Sequence, residues 1–120
     1  MLKSYYCGSL GKENLGENVK LAGWVNRRRD HGGLIFIDLR DWEGLVQIVI
    51  NPENNPEIHE IAQDIRNEWV LGIKGKVNLR PKGTVNSNIS SGEIEVIVED
   101  LEILNPSKTP PFNIEDESTN

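Results

Sequence analysis

Cysteine and histidine are scarce in this sequence of 120 residues: Cys7 stands alone, and the two histidines, His31 and His59, lie far apart. A lone cysteine excludes an intramolecular disulfide and a thiolate metal cluster, so Cys7 reads as a small, half-buried thiol. Without a Gly-rich phosphate loop or spaced His, Asp and Glu ligands, the chain lacks the usual groundwork for catalysis. Glu93 and Glu95 alternate on one strand face, which suits acid/base work, but no partner base accompanies them. No apolar run reaches the length of a membrane span, and "MLKSYYCGSL" has no signal-peptide core. The expected compartment is the cytoplasm. Aromatic residues make up 6% of the chain. These absences point to a protein that binds rather than converts.

What is present is an ordinary globular composition, 37% hydrophobic and 27% charged. The length suits one domain able to fold without metals or disulfides. The formal net charge of -6 is unevenly spread. Residues 1–83 hold 12 Lys/Arg against 11 Asp/Glu, whereas residues 84–120 hold one against eight. The closing "PPFNIEDESTN" joins a diproline to an acidic polar run and reads as a linker. The expected division is a folded domain over 1–106 and the start of a hinge over 107–120.

"NVKLAGWVN" (18–26) and "GLIFIDLR" (33–40) alternate apolar and polar residues around Gly32-Gly33, predicting a hairpin. "DWEG" marks a second turn and "LVQIVIN" a third strand. Asn55 and Pro56 then cap a helix whose buried stripe is Ile58, Ile61, Ala62 and Ile65. A fourth strand over about 69–80 sets Trp69, Leu71, Ile73, Val77 and Leu79 inward, with Lys74, Lys76, Asn78 and Arg80 outward. A fifth, from Glu93, sets Ile94, Val96 and Val98 opposite Glu93, Glu95, Ile97 and Glu99. Three strands, a helix and two strands is the order of an all-β, five-stranded Greek-key barrel, the OB-fold, whose face and loops bind oligonucleotides or oligosaccharides. β-Grasp and SH3-like arrangements tolerate the same strands.

The stretch "GWVNRRRDHGGLIFIDLRD" (23–41) places three arginines beside an alternating strand. With Ile35, Ile37 and Leu39 inward, Phe36 and Asp38 face the other way. Phe36 is then either covered by a loop or the helix, or an exposed ring on which a base stacks. Gln47 also faces outward and is a candidate cross-strand neighbour of Phe36, its amide suited to reading a base edge. Simple alternation sends Arg28 outward and Arg27 and Arg29 toward the core. An unpaired arginine triplet cannot be buried, so the strand must twist or end there. The competing reading is a solvated strand end paired with Asp30 or Asp41.

With these residues in view, the sequence resembles the N-terminal anticodon-binding domain of bacterial aspartyl-tRNA synthetases. The likeness runs through "YCGSL", "GWVNRRRDHGGLIFIDLRD", "GLVQIVI", "IRNEWVLGIKGKV" and "GEIEV". It implies that Phe36 stacks on the middle anticodon base and that Gln47 hydrogen-bonds it. It further implies that Arg27 and Arg29 lie close to the anticodon, that Glu95 reads a guanine-like first base, and that Arg80 and Asn86 make polar contacts. His31 and Gly83 resemble the branch that charges both aspartate and asparagine tRNAs; the alternative for His31 is a plain turn residue. The partner implied is tRNA. The chain itself would need no cofactor, while ATP and Mg2+ would belong to a catalytic domain beyond residue 120, in a homodimeric parent. Two other classes compete. A sequence-tolerant single-strand-binding OB domain would use several outward aromatics, and a protein-interaction module would use the helix and acidic tail.

Overall fold

In the computed structural model, which describes residues 5–81 and 91–105, the strands close on themselves. They are β1 (Asn18–His31), β2 (Leu34–Asp41), β3 (Gly44–Ile50), β4 (Val70–Leu79) and β5 (Ile94–Asn105), with helix α1 (Pro56–Ala62) between β3 and β4. Their order around the barrel is β1-β2-β3-β5-β4, and every pairing is antiparallel except that of β3 with β5. That order is the OB-fold and decides against the β-grasp and SH3-like alternatives.

Closure depends on β1, which pairs with β4 over Asn18–Trp24 and with β2 from Trp24 to His31. Trp24 is the crossing point, opposite both Arg40 and Val70. Glycine is required next to it, because a Cβ at Gly23 would run into the Arg40 carbonyl. The hairpin turn follows from Gly32 and Gly33, whose φ values of 60° and 85° suit a two-residue turn matched to the strand twist. Ile35, Ile37 and Leu39 alternate into the core as expected, meeting Val19, Leu21 and Ile73.

Helix α1 closes one end of the barrel. The Asn55 side chain accepts from the Ile58 N–H at 3.1 Å, and Pro56 opens the first turn, as the sequence predicts. The helix ends at Ala62, however, one turn before the apolar stripe does. Ile65 is fully buried from the segment after it, while Ile61 turns out to be 45% exposed.

Several other expectations are corrected. Leu79, expected inward, is exposed at the strand end, and Trp69 precedes β4 and packs partly buried against the core. Cys7 is completely buried rather than half-buried, in a 3-10 turn where its N–H donates to the Asp41 carboxylate at 2.7 Å. β5 starts at Ile94, one residue late, and Glu95 is buried instead of outward-facing in solvent. The expected hinge, 107–120, lies outside the described residues.

Candidate nucleic-acid interface

The decisive local feature is an irregularity in β1. Val25 pairs with Leu39 but Arg27 pairs with Asp38, so one extra residue, Asn26, is inserted opposite β2. Such a bulge flips every later side chain to the other face. Arg27 and Arg29 therefore leave the core side and join Asp38 and Phe36, their cross-strand partners, while Arg28 turns the opposite way beside Ile37. The triplet thus avoids unpaired burial by bulging, which is the twist the sequence demanded. Both sequence readings hold in part: Arg28 pairs with Asp30, its Nε donating to Oδ1 at 2.8 Å. Asp41 does not serve the arginines. It accepts instead from the N–H groups of Cys7, Glu43 and Gly44.

On the bulged face a cleft of about 700 Å3 opens between β1, β2, β3 and the ends of β4 and β5. Arg27, Arg29, His31, Phe36, Gln47, Arg80 and Glu95 all line it. These are seven of the nine residues singled out from the sequence; Gly83 and Asn86 lie outside the described residues. Phe36 is half-buried on the cleft wall, with the Arg29 guanidinium carbon 5.6 Å from its ring centroid, within cation–π range. Phe36 faces Val49 across β3, so Gln47, opposite Asp38, is its diagonal rather than its direct neighbour. His31 ends β1 at the exposed rim.

Gln47 sits deeper than alternation predicts, only 4% exposed, because its amide is held at both ends. Its Oε1 accepts from Arg29 Nη2 at 3.0 Å, and its Nε2 donates to Glu95 Oε1 at 2.9 Å. A primary amide has two N–H donors and two lone pairs, so one of each remains for a ligand. Burial pushes the Glu95 carboxyl above the usual range, against the opposing pull of the Gln47 hydrogen bond and of Arg80. Burial likewise lowers the Arg80 pKa, with Asp38 and Glu95 opposing. Arg80 lies just past the end of β4, its Nε donating to the Ile94 carbonyl at 3.1 Å.

The cleft is therefore not a plain basic groove. Three arginines face Asp30, Asp38 and Glu95, with Arg29 also 3.6 Å from the Asp38 carboxylate. Guanidiniums suit phosphates, carboxylates suit the N–H edge of a purine, and the single Phe ring suits one stacked base. Asp38 was missed as a site residue although it shares the parity of Phe36. Alternation alone would have found it. Among the described residues, no group of three or more His, Cys, Asp or Glu could hold a metal ion, and no helix is long and apolar enough to cross a membrane.

Residues 19–104 match the model of the tRNA anti-codon family, described as an OB-fold nucleic acid binding domain. The chain belongs to this family. It is 57% identical over 116 residues to an aspartate–tRNA(Asp/Asn) ligase of Desulfatibacillum aliphaticivorans, covering 97% of this chain and 19% of that protein. A second such ligase, from Brachyspira hyodysenteriae, is 56% identical over 96% of this chain and 20% of its own length. The chain thus spans about a fifth of the length of the curated relatives it matches. Among solved structures, asparaginyl-tRNA synthetase from Pyrococcus horikoshii with asparaginyl-adenylate superposes with a TM-score of 0.74 at 30% identity, over 89% of this chain and 23% of that one.

Proposed function

We propose that the cleft reads the anticodon of aspartate tRNA, and of asparagine tRNA as well, for an aspartate–tRNA ligase of which this chain is the anticodon-binding domain. The observation that carries the reading is the convergence of Phe36, Arg29, Gln47 and Glu95 in one cleft of an OB barrel. In this reading Phe36 stacks on the middle base, while the remaining N–H and lone pair of Gln47 meet its edge. Glu95 accepts the N–H donors of a guanine-type first base, and Arg27, Arg29 and Arg80 neutralise phosphates. His31, at the rim of the cleft, meets the third base. An imidazole both donates and accepts and so tolerates either pyrimidine.

A sequence-tolerant single-strand binder is not favoured, because it needs a row of stacking rings and Phe36 is the one Phe, Tyr or Trp lining the cleft among the described residues. The remainder of the parent would hold ATP and Mg2+, join aspartate to tRNA and form the homodimer, working in the cytoplasm where translation proceeds. Titrating an aspartate anticodon stem-loop into isotope-labelled protein tests the reading. NMR shifts should concentrate at Arg29, Phe36, Gln47 and Glu95. Shifts confined to α1 would instead support a protein-interaction module that binds RNA only adventitiously.

A further inference from the structure

We propose that Arg28, the middle arginine of the triplet, is a positioning residue that holds the recognition hairpin against α1 and does not itself contact RNA. The consequence for binding rests on the anticodon-reading role above; the geometry does not. Beyond Val25, whose N–H donates to the Trp69 carbonyl and whose carbonyl accepts from Glu68, the backbone of the distal part of β1, Arg27–His31, is hydrogen-bonded among the described residues to β2 alone. β2 is flanked on its other side by β3 over Ile35–Asp41, so the weak part is this edge segment of β1, whose outer backbone groups face no strand among the described residues. Yet this edge segment carries Arg29 and His31 and sets Arg29 opposite Phe36, an arrangement a reading function needs held to a fraction of an ångström.

The support comes from α1. Arg28 Nη1 donates to the carbonyls of Ala62 at 2.8 Å, Gln63 at 3.1 Å and Ile65 at 2.7 Å. These lie at the end of the helix and the turn after it, where carbonyls have lost their intrahelical partners. The other side of the same guanidinium grips Asp30, with Nε to Oδ1 at 2.8 Å and Nη2 to Oδ2 at 2.9 Å. The side chain is only 14% exposed. Four of its five N–H donors are thereby engaged, which leaves little for a phosphate. A lysine could not replace it, because an ammonium lacks the planar fork that reaches carboxylate and carbonyls together. A second tie acts at the tip: His59 of α1 lies with Nε2 2.8 Å from the Gly33 carbonyl. A carbonyl only accepts, so Nε2 carries the proton, and Gln63 Nε2 lies 3.2 Å from Nδ1 to donate there. His59 thereby joins the helix to the hairpin turn.

The test compares Arg28→Met, Arg28→Lys, His59→Ala and Arg29→Met in the 120-residue chain. The readouts are affinity for an aspartate anticodon stem-loop across a salt series, and hydrogen exchange at amides 27–36 relative to β3 and β5. Arg28→Met should weaken binding roughly three- to thirtyfold at an unchanged log-log salt slope and speed exchange in the hairpin alone. Arg28→Lys should not rescue it. Arg29→Met should instead reduce the slope by about 0.7, one phosphate contact. His59→Ala should act like Arg28→Met but more weakly, and it carries the test if Arg28→Met does not fold. A slope lowered by Arg28→Met as by Arg29→Met would overturn the proposal, as would unchanged hairpin exchange in the folded variants. Should the unsubstituted chain ignore the stem-loop, anticodon reading fails while exchange still decides the clamp.

Discussion

Replacing Phe36 with alanine separates a binding ring from a core ring. The side chain is half-buried, between Arg29 on β1 and Val49 on β3. Losing the cation–π contact removes about 0.5–1 kcal/mol at a site of this exposure. Losing the cross-strand contact with Val49 removes a further ~0.2–1 kcal/mol. The stability loss should therefore be about 1–2 kcal/mol, below the ~2–5 kcal/mol expected for Ile37→Ala at a fully buried position. Binding should suffer more. A base stacked on an aromatic side chain contributes ~1–3 kcal/mol, so the dissociation constant for an aspartate stem-loop should rise roughly five- to 150-fold. Phe36→Leu keeps apolar bulk without a ring and should lose most of the affinity with little change in stability. Fluorescence anisotropy with a labelled stem-loop gives the affinities, and thermal melts give the stabilities. A melting point that drops as far as that of Ile37→Ala, with affinity intact, would show that Phe36 serves the core.

Three further outcomes are expected. Because burial raises the Glu95 pKa, affinity for a guanine-first anticodon should fall as pH drops through a value above that of an exposed glutamate, and Glu95→Gln should flatten that limb. In stability the sign reverses. A carboxyl whose folded pKa exceeds its unfolded one favours folding at low pH and loses that contribution as pH rises through the folded pKa, so Glu95→Gln should raise the melting point at neutral pH. Binding to single-stranded anticodon RNA through the three phosphate contacts of Arg27, Arg29 and Arg80 should give a log-log salt slope of roughly -2, and salt-insensitive binding would contradict the role of the arginines. Stem-loops ending the anticodon in C or U should bind within about tenfold, under ~1.4 kcal/mol, and His31→Leu should widen the gap; a hundredfold preference for C in the unsubstituted chain would remove His31 as the source of tolerance.

The parts of this structure legible in the sequence are those set by short-range rules. Asn55-Pro56 marks the helix start because capping is local, and Gly32-Gly33 marks the hairpin because the turn needs positive φ. The face of Phe36 follows from alternation within β2. Alternation fails where a residue is inserted. The bulge at Asn26 reverses Arg27, Arg28 and Arg29, and only the implausibility of burying arginine foretells it. Period two also gives a side, not a depth. Gln47 and Glu95 are on the side expected, but their mutual hydrogen bond lets both sink into the wall. Register across β2 and β3, which makes Gln47 a diagonal partner of Phe36, is set by the Asp41–Gly44 turn and not by either strand's composition. The helix stripe misleads at Ile61 because Ile58 and Ala62, four residues apart, form the buried line and Ile61 falls beside it, while Ile65 reaches the core from the segment after the helix.

Affinities of the chain for three anticodon stem-loops, aspartate, asparagine and lysine, measured side by side at one low salt concentration, test anticodon reading most directly. The aspartate and asparagine loops should bind within about tenfold of each other, because they share the first two bases offered to Glu95, Gln47 and Phe36. The lysine loop keeps the middle base and the stacking on Phe36 but presents no guanine to Glu95, and it should bind more weakly than both, by roughly tenfold or more. Equal affinity for all three would mean that the cleft holds RNA without reading it.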